Sequence, residues 1–304
     1  MSLETLRTSL ATAVVVPVTP LHEDGSPDWD TYAELTTRLI DAGITVITAN
    51  GNTGEFYALT HAEARQAVET AARAVGGRDP KAALVAGVGH DIVTATEAAR
   101  HAADHGAPMV MVHQPVHPYV SAQGWIDYHA AIANAVPGLG IVAYVRTERI
   151  TGSHIASLLH RAPNVIGVKY GVRDATRFAA VARDAGIDRF TWLAGAAELT
   201  APAYWACGAH GFTSGLANVS PPIAVAMLEA LRKNDFPAAM TVWESVRRFE
   251  ELRGADASAD NVSVVKEAMA QLGLCRADVR PPSRPLPENI KQEIVGILLN
   301  WGLI

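Results

Sequence analysis

The chain has 304 residues, 49% of them hydrophobic and 18% charged, which supplies enough apolar material for one large α/β domain and speaks against a disordered chain. The net charge of −6, with no basic block, argues against a nucleic-acid partner, and an acidic protein that handles an anion must attract it locally. Cys207 and Cys275 are too few for a disulfide framework, MSLETLRTSL lacks the apolar core of a signal peptide, and no apolar run reaches transmembrane length, so a cytoplasmic protein without membrane contact is expected.

In chain order, short apolar runs rich in β-branched residues predict strands over 12–17 (TAVVVP), 44–49, 82–87, 108–113, 139–144, 164–169, 190–194 and 210–214. Uninterrupted apolar runs suit strands buried on both faces, as in a parallel sheet. Between them, Ala-rich amphipathic stretches predict helices over 28–42, 60–76, 91–105, 121–136, 151–162, 174–186, 198–207 and 221–233. Asp28, Thr60, Asp91, Ser121 and Asp174 stand where N-caps belong. Eight alternations of this kind predict an α/β fold of the (β/α)8 TIM-barrel type over residues 1–233. A doubly wound open sheet is the competing architecture, and it would carry a glycine-rich fingerprint after its first strand that VVVPVTPLHEDG lacks. Three further helices, over 236–252, 260–272 and 287–300, predict a C-terminal three-helix extension over 234–304, with Pro-rich 281–287 before the last.

In such a barrel, reactive groups gather at the C-terminal ends of the strands. Lys169 closes the apolar strand NVIGVK, whereas the other four lysines, against twenty arginines, lie in polar or helical contexts. Apolar surroundings disfavour the ammonium form, and a neutral amine can add to a ketone to give an imine, an electron sink for breaking a neighbouring bond. A lysine snorkelling out of the barrel to a carboxylate or to solvent is the other reading of the same position. Tyr144, 25 positions earlier, ends the preceding strand, where its phenol could carry protons beside the amine or simply cap the barrel mouth. Gly51, Asn52 and Thr53, at the end of the second strand, could hold a carboxylate on backbone amides and a hydroxyl, though short Gly/Asn/Thr clusters are usually turns; Glu55 reads as a structural acceptor.

Together these segments resemble the dihydrodipicolinate synthase / N-acetylneuraminate lyase family of class I Schiff-base aldolases and dehydratases. PVTPLHEDGSPDWD (17–30) is similar to the family's TPF-x-x-D-G-x-x-D, and GNTGEFYALTHAEAR (51–65) to its GTTGE-x-x-x-L-x-x-x-E-R. Tyr144 falls at the family's tyrosine, IGVKYGVRD (166–174) at its lysine, and GFTSGLANVSP (211–221) at the end of its eighth strand. The resemblance implies a homotetramer without cofactor, a small 2-oxo acid substrate, catalytic roles for Lys169 and Tyr144, and a carboxylate site at Asn52 and Thr53. Gly51, Ser214 and Gly215 are further binding candidates.

The departures bear on substrate. The tyrosine reads Tyr144-Val145-Arg146-Thr147 in place of Y-N-x-P, the first of two loop threonines is Asn52, and His117 stands at a second tyrosine. His117 would then contact a substrate hydroxyl or carry a proton, and Arg146 or Arg149 would meet a distal carboxylate. GEF (54–56) and GVKYGVRD (167–174) resemble 5-dehydro-4-deoxyglucarate dehydratases, although Tyr170 and Val145 replace an Asp and an Asn of that group. A dehydratase or aldolase of a 2-keto-3-deoxy sugar acid is therefore expected, ahead of a dihydrodipicolinate synthase-like or other pyruvate-dependent aldolase and of a non-catalytic 2-oxo-acid-binding barrel. No metal is expected: His101 and His105 read as an outer helix face, and His113 with His117 lacks a carboxylate partner.

Overall fold

The computed structural model describes residues 1–304. Eight parallel strands close into a barrel in sequence order, with the first paired to the last: β1 Ala13–Val15, β2 Val46–Ala49, β3 Ala83–Val88, β4 Met109–Val112, β5 Gly140–Val145, β6 Val165–Tyr170, β7 Thr191–Ala194 and β8 Gly211–Ser214. The predicted TIM barrel is the observed fold, and the open sheet is excluded by the β1–β8 pairing. Helices α2 Trp29–Asp41, α3 His61–Val75, α4 Ile92–Asp104, α5 Ala122–Ala135, α6 Gly152–Arg161, α7 Ala175–Ala185, α8 Ala197–Ala206 and α9 Pro221–Arg232 follow the successive strands. The five expected caps form: Asp28, Thr60, Asp91, Ser121 and Asp174 each accept a backbone N–H of the first turn.

An unpredicted short helix, α1 Leu3–Ser9, precedes the barrel, and Leu6 and Leu10 pack with Val14, Val46, Met109 and Ile166 as a plug in its N-terminal end. Closing this end leaves the opposite rim as the open mouth. Between the strands and the helices, an apolar layer of 56 residues drawn from both fixes the helix ring. Helices α10 Phe236–Ser258, α11 Asn261–Gln271 and α12 Glu288–Asn300 pack against Val18, Leu35, Leu216 and Val219 of the barrel. Regular helix geometry in α10 breaks at Ala255, where residues 255–257 leave helical φ/ψ and Asp256 and Ala257 adopt left-handed φ of 46° and 54°. The chain thereby turns back over the mouth and delivers α11 beside it.

Candidate active site

Tyr144 and Lys169 are direct partners in the β5–β6 register, so their side chains enter the barrel side by side. The Lys169 amine sits 4.3 Å above the centre of the Tyr144 ring, and both residues are buried, at 4% and 5% exposure. Burial pushes the Lys169 ammonium down to about 7, with the positive charges of Arg146 and Arg253 acting in the same direction. Burial also raises the Tyr144 phenol, against the pull of Arg146 and Arg173. Tyr170, the next residue of β6, points to the other face of the sheet and packs on Phe178 and Tyr204.

Burial alone does not make a lysine special here. Lys266 of α11 is fully buried too, but it donates to Glu55 and to the Asp278 carbonyl. The two fully enclosed ion pairs are Lys266–Glu55 and Arg253–Glu250; Lys169 belongs to neither. Burial lowers the Lys266 ammonium as well, but Glu55 pulls against it, whereas at Lys169 the charges of Arg146 and Arg253 add to the effect of burial. Glu55 is the structural acceptor the sequence suggested: one oxygen takes Lys266 and the other takes the Arg280 N–H at 2.9 Å.

Lys169 and Tyr144 open into a cavity of about 490 Å³ at the barrel mouth. Asn52 and Thr53 line it at the head of a 3₁₀ turn, where the first N–H groups have no partner within the turn; the buried Asn52 Oδ1 makes no hydrogen bond. Gly51 lies behind this wall, because a Cβ there would fall 2.5 Å from Val16 Cγ1. Gly215 lines the cavity, and a Cβ on it would fall 2.2 Å from Arg253 Nη2 and 3.1 Å from Thr53 Oγ1. The guanidinium and the Thr53 hydroxyl therefore flank the same small gap. Ser214 also lines the cavity, but its hydroxyl is engaged, 2.5 Å from Glu198 Oε1 and accepting from the Ala217 N–H.

Two expected residues are elsewhere. His117 is exposed on the loop after β4, accepts the Tyr119 N–H on Nδ1, and does not line the cavity. The loop carries it outward, so alignment to a site position did not translate into proximity. Arg149 is likewise outside the lining, which leaves Arg146 of the two candidates. Sequence reasoning missed Arg173, which follows β6, and the buried group Glu198, Glu250 and Arg253. Arg253 Nη1 donates to Glu250 and Nη2 to Asn261 Oδ1 at 2.8 Å, while its buried Nε is unpartnered. Burial first, and Glu250 second, push the Glu198 carboxyl well above the ordinary carboxylate range. Glu198 stands just past the end of β7, where the strand-end rule could have flagged it; Glu250 and Arg253 come from α10, which no strand-end rule reaches.

Residues 9–300 match the dihydrodipicolinate synthetase family. A 4-hydroxy-tetrahydrodipicolinate synthase of Phenylobacterium zucineum is 32% identical over 94% of this chain and 96% of its own length. A protein of Streptomyces griseus named "probable 5-dehydro-4-deoxyglucarate dehydratase" is also 32% identical, over 91% of this chain and 88% of its own. A crystal structure of dihydrodipicolinate synthase from Bacillus clausii superposes with a TM-score of 0.93 at 40% identity, covering 98% of this chain and 99% of that one. The chain belongs to the dihydrodipicolinate synthetase family and is a lyase of its lysine Schiff-base type, whose members act on small 2-oxo acids.

Proposed function

We propose that this family member is a dehydratase or aldolase of a 2-keto-3-deoxy sugar acid with a second carboxylate, such as 5-dehydro-4-deoxyglucarate, and that Lys169 is its imine-forming residue. The observation that carries the reading is a buried, counter-ion-free Lys169 beside Tyr144, in a cavity whose other fixed charges include Arg146, Arg173 and Arg253. The Lys169 amine adds to the keto carbon. Tyr144 donates a proton to the resulting hydroxyl, which leaves as water and gives the protonated imine. Loss of a proton from the neighbouring carbon sends that C–H electron pair into the imine as an enamine. In a dehydratase the pair then expels the adjacent hydroxyl, protonated as it leaves, as a second water. In an aldolase no C–H proton is lost: from the same protonated imine the bond to the hydroxyl-bearing carbon breaks, its electron pair flows into the imine as the enamine while that hydroxyl gives up its proton to leave an aldehyde, and the enamine then takes a proton on carbon. Hydrolysis of the imine returns Lys169.

The substrate's α-carboxylate fits the end of the cavity at Asn52 and Thr53, which Arg253 flanks, and a distal carboxylate fits Arg146 or Arg173. Ser258, Asn261 and Ser283 line the same cavity and supply groups for sugar hydroxyls. The dehydratase likeness of the Streptomyces relative supports this reading, while relatives named 4-hydroxy-tetrahydrodipicolinate synthase support condensation of a pyruvate imine as the second reading. The homotetramer and the cytoplasmic location belong to the proposal as well; both cysteines are free, which suits a reducing compartment, and light scattering tests the assembly.

The deciding experiment incubates the protein with pyruvate or with keto-deoxy sugar acids, adds borohydride and weighs it. A stable adduct that disappears in Lys169→Ala, together with loss of water or release of pyruvate from a dicarboxylic sugar acid, is expected. No adduct with any 2-oxo acid would remove Lys169 from the chemistry. An adduct with pyruvate alone, turned over only with an added aldehyde, would favour condensation.

A further inference from the structure

We propose that Glu69 of α3 with His101 and His105 at the end of α4 forms a binding site for one divalent transition-metal ion of the zinc–copper class, which staples these two outer helices together. The i, i+4 spacing puts the two imidazoles on one face of α4, as the sequence indicates. The fold adds a carboxylate from the neighbouring helix, 32 residues away in sequence. Glu69 Oε1 lies 3.1 Å from His101 Nε2 and 3.8 Å from His105 Nε2, and the three ligand atoms all lie within 4.8 Å of one another. Tetrahedral coordination at roughly 2.0–2.1 Å sets ligand atoms about 3.3–3.4 Å apart, so the two measured separations bracket the required edge.

The tautomer of His105 is fixed in the sense a metal needs. Its Nδ1 lies 2.8 Å from the His101 carbonyl oxygen, which can only accept, so in the neutral ring Nδ1 carries the hydrogen and Nε2 presents a lone pair toward Glu69. The imidazole rings of His101 and His105 lie 4.2 Å apart, centre to centre. With its hydrogen on Nδ1, neutral His105 has none on Nε2 to give to Glu69. His101 holds Glu69 through a hydrogen on Nε2, and an incoming cation would take that place as the ring switches to the tautomer with its hydrogen on Nδ1, recruiting all three groups. Side-chain exposures of 15%, 28% and 40% for His101, Glu69 and His105 leave room for a solvent molecule as fourth ligand while holding the cluster between two helices. Two nitrogen ligands and one carboxylate suit zinc, copper or nickel and disfavour magnesium and calcium, which take oxygen. This site stands on the outer helical layer, apart from the barrel mouth, and carries no step of the lyase reaction.

The test strips the full chain with a chelator, titrates it with zinc at micromolar concentration, and follows bound metal and the thermal midpoint. One equivalent per chain with a raised midpoint is expected, because a ligand that binds only the folded state stabilises it. Glu69→Gln and His105→Ala should each weaken binding by roughly 10-fold or more. Both changes lie at a partly exposed surface, and unchanged borohydride trapping by Lys169 controls for intact folding. Absence of zinc uptake would overturn the proposal. So would uptake unaffected by either substitution, for instance at the His61–His90 pair, whose rings lie 5.8 Å apart.

Discussion

Lys169→Met tests the electrostatics of the site without using its chemistry. Methionine keeps the length and apolar stem of the side chain and removes only the titrating amine. In the folded protein the amine releases its proton near pH 7, whereas an unfolded lysine holds it to about 10.5. Between those values the unfolded chain binds more protons, so lysine's contribution to stability rises with pH. The difference, 10.5 minus 7, at about 1.36 kcal/mol per unit, makes the buried lysine cost about 5 kcal/mol below neutrality and nothing above its unfolded value. The methionine variant should therefore be more stable than the parent by about 5 kcal/mol at about pH 6, about 3 at about pH 8 and about 1 at about pH 10. Urea unfolding followed by circular dichroism at matched protein concentration measures this directly. A stability difference that is flat with pH, or a methionine variant less stable than the parent in acid, would show that Lys169 keeps an ordinary ammonium and would remove the basis for its nucleophilicity.

The same titration should govern catalysis: kcat/KM falls about tenfold per pH unit below about 7, as Lys169 gains its proton, and a rate unchanged between pH 8 and pH 6 would contradict it. Tyr144→Phe should still be trapped by borohydride with a 2-oxo acid, but with turnover down by about 10²–10⁴, since the amine stays and its proton carrier goes. Arg253→Met should raise KM for a dicarboxylic substrate and move the acid limb of the pH profile upward, because one cation that holds Lys169 down is removed; it should also destabilise the fold by about 3–5 kcal/mol by leaving Glu250 unpaired. Glu55→Gln should cost a similar ~3–5 kcal/mol by stranding Lys266, and Glu55→Gln combined with Lys266→Met should recover most of it in a double-mutant cycle.

The barrel was legible because its physics is local. Strands buried on both faces must be apolar throughout, and helices entered from polar turns need a side-chain cap; both leave marks within a few residues. Lys169 and Tyr144 were legible for the related reason that a polar group ending an apolar strand is costly unless it is used. The misses are non-local. α1 has only 7 residues, and its role in the plug depends on Leu6 and Leu10 meeting residues of distant strands. His117 lies in a loop whose direction no periodicity encodes. Arg253 reaches the mouth only because α10 breaks at residues 255–257 and α11 returns, bringing Asn261 to hold the guanidinium. Even so, the expected end of that helix at 252 lies close to the break.

The distribution of counter-ions explains how a chain of net charge −6 can take an anion. Around the mouth, the Glu55 carboxylate is committed to Lys266 and the Arg280 N–H, and Glu250 to Arg253. Glu198 is held toward its neutral form by burial and by Glu250, and so adds little negative charge. Against these stand Arg146, Arg173, Arg253 and the amine of Lys169, all lining one cavity. Each acidic group near the mouth is thus paired or held neutral, and the two cations that pair with them, Lys266 and Arg253, both belong to the C-terminal helices. The extension is therefore part of the electrostatics of the lysine. It supplies Arg253, whose charge helps to push the Lys169 ammonium down, and it leaves the incoming oxo acid as the anion that completes the site.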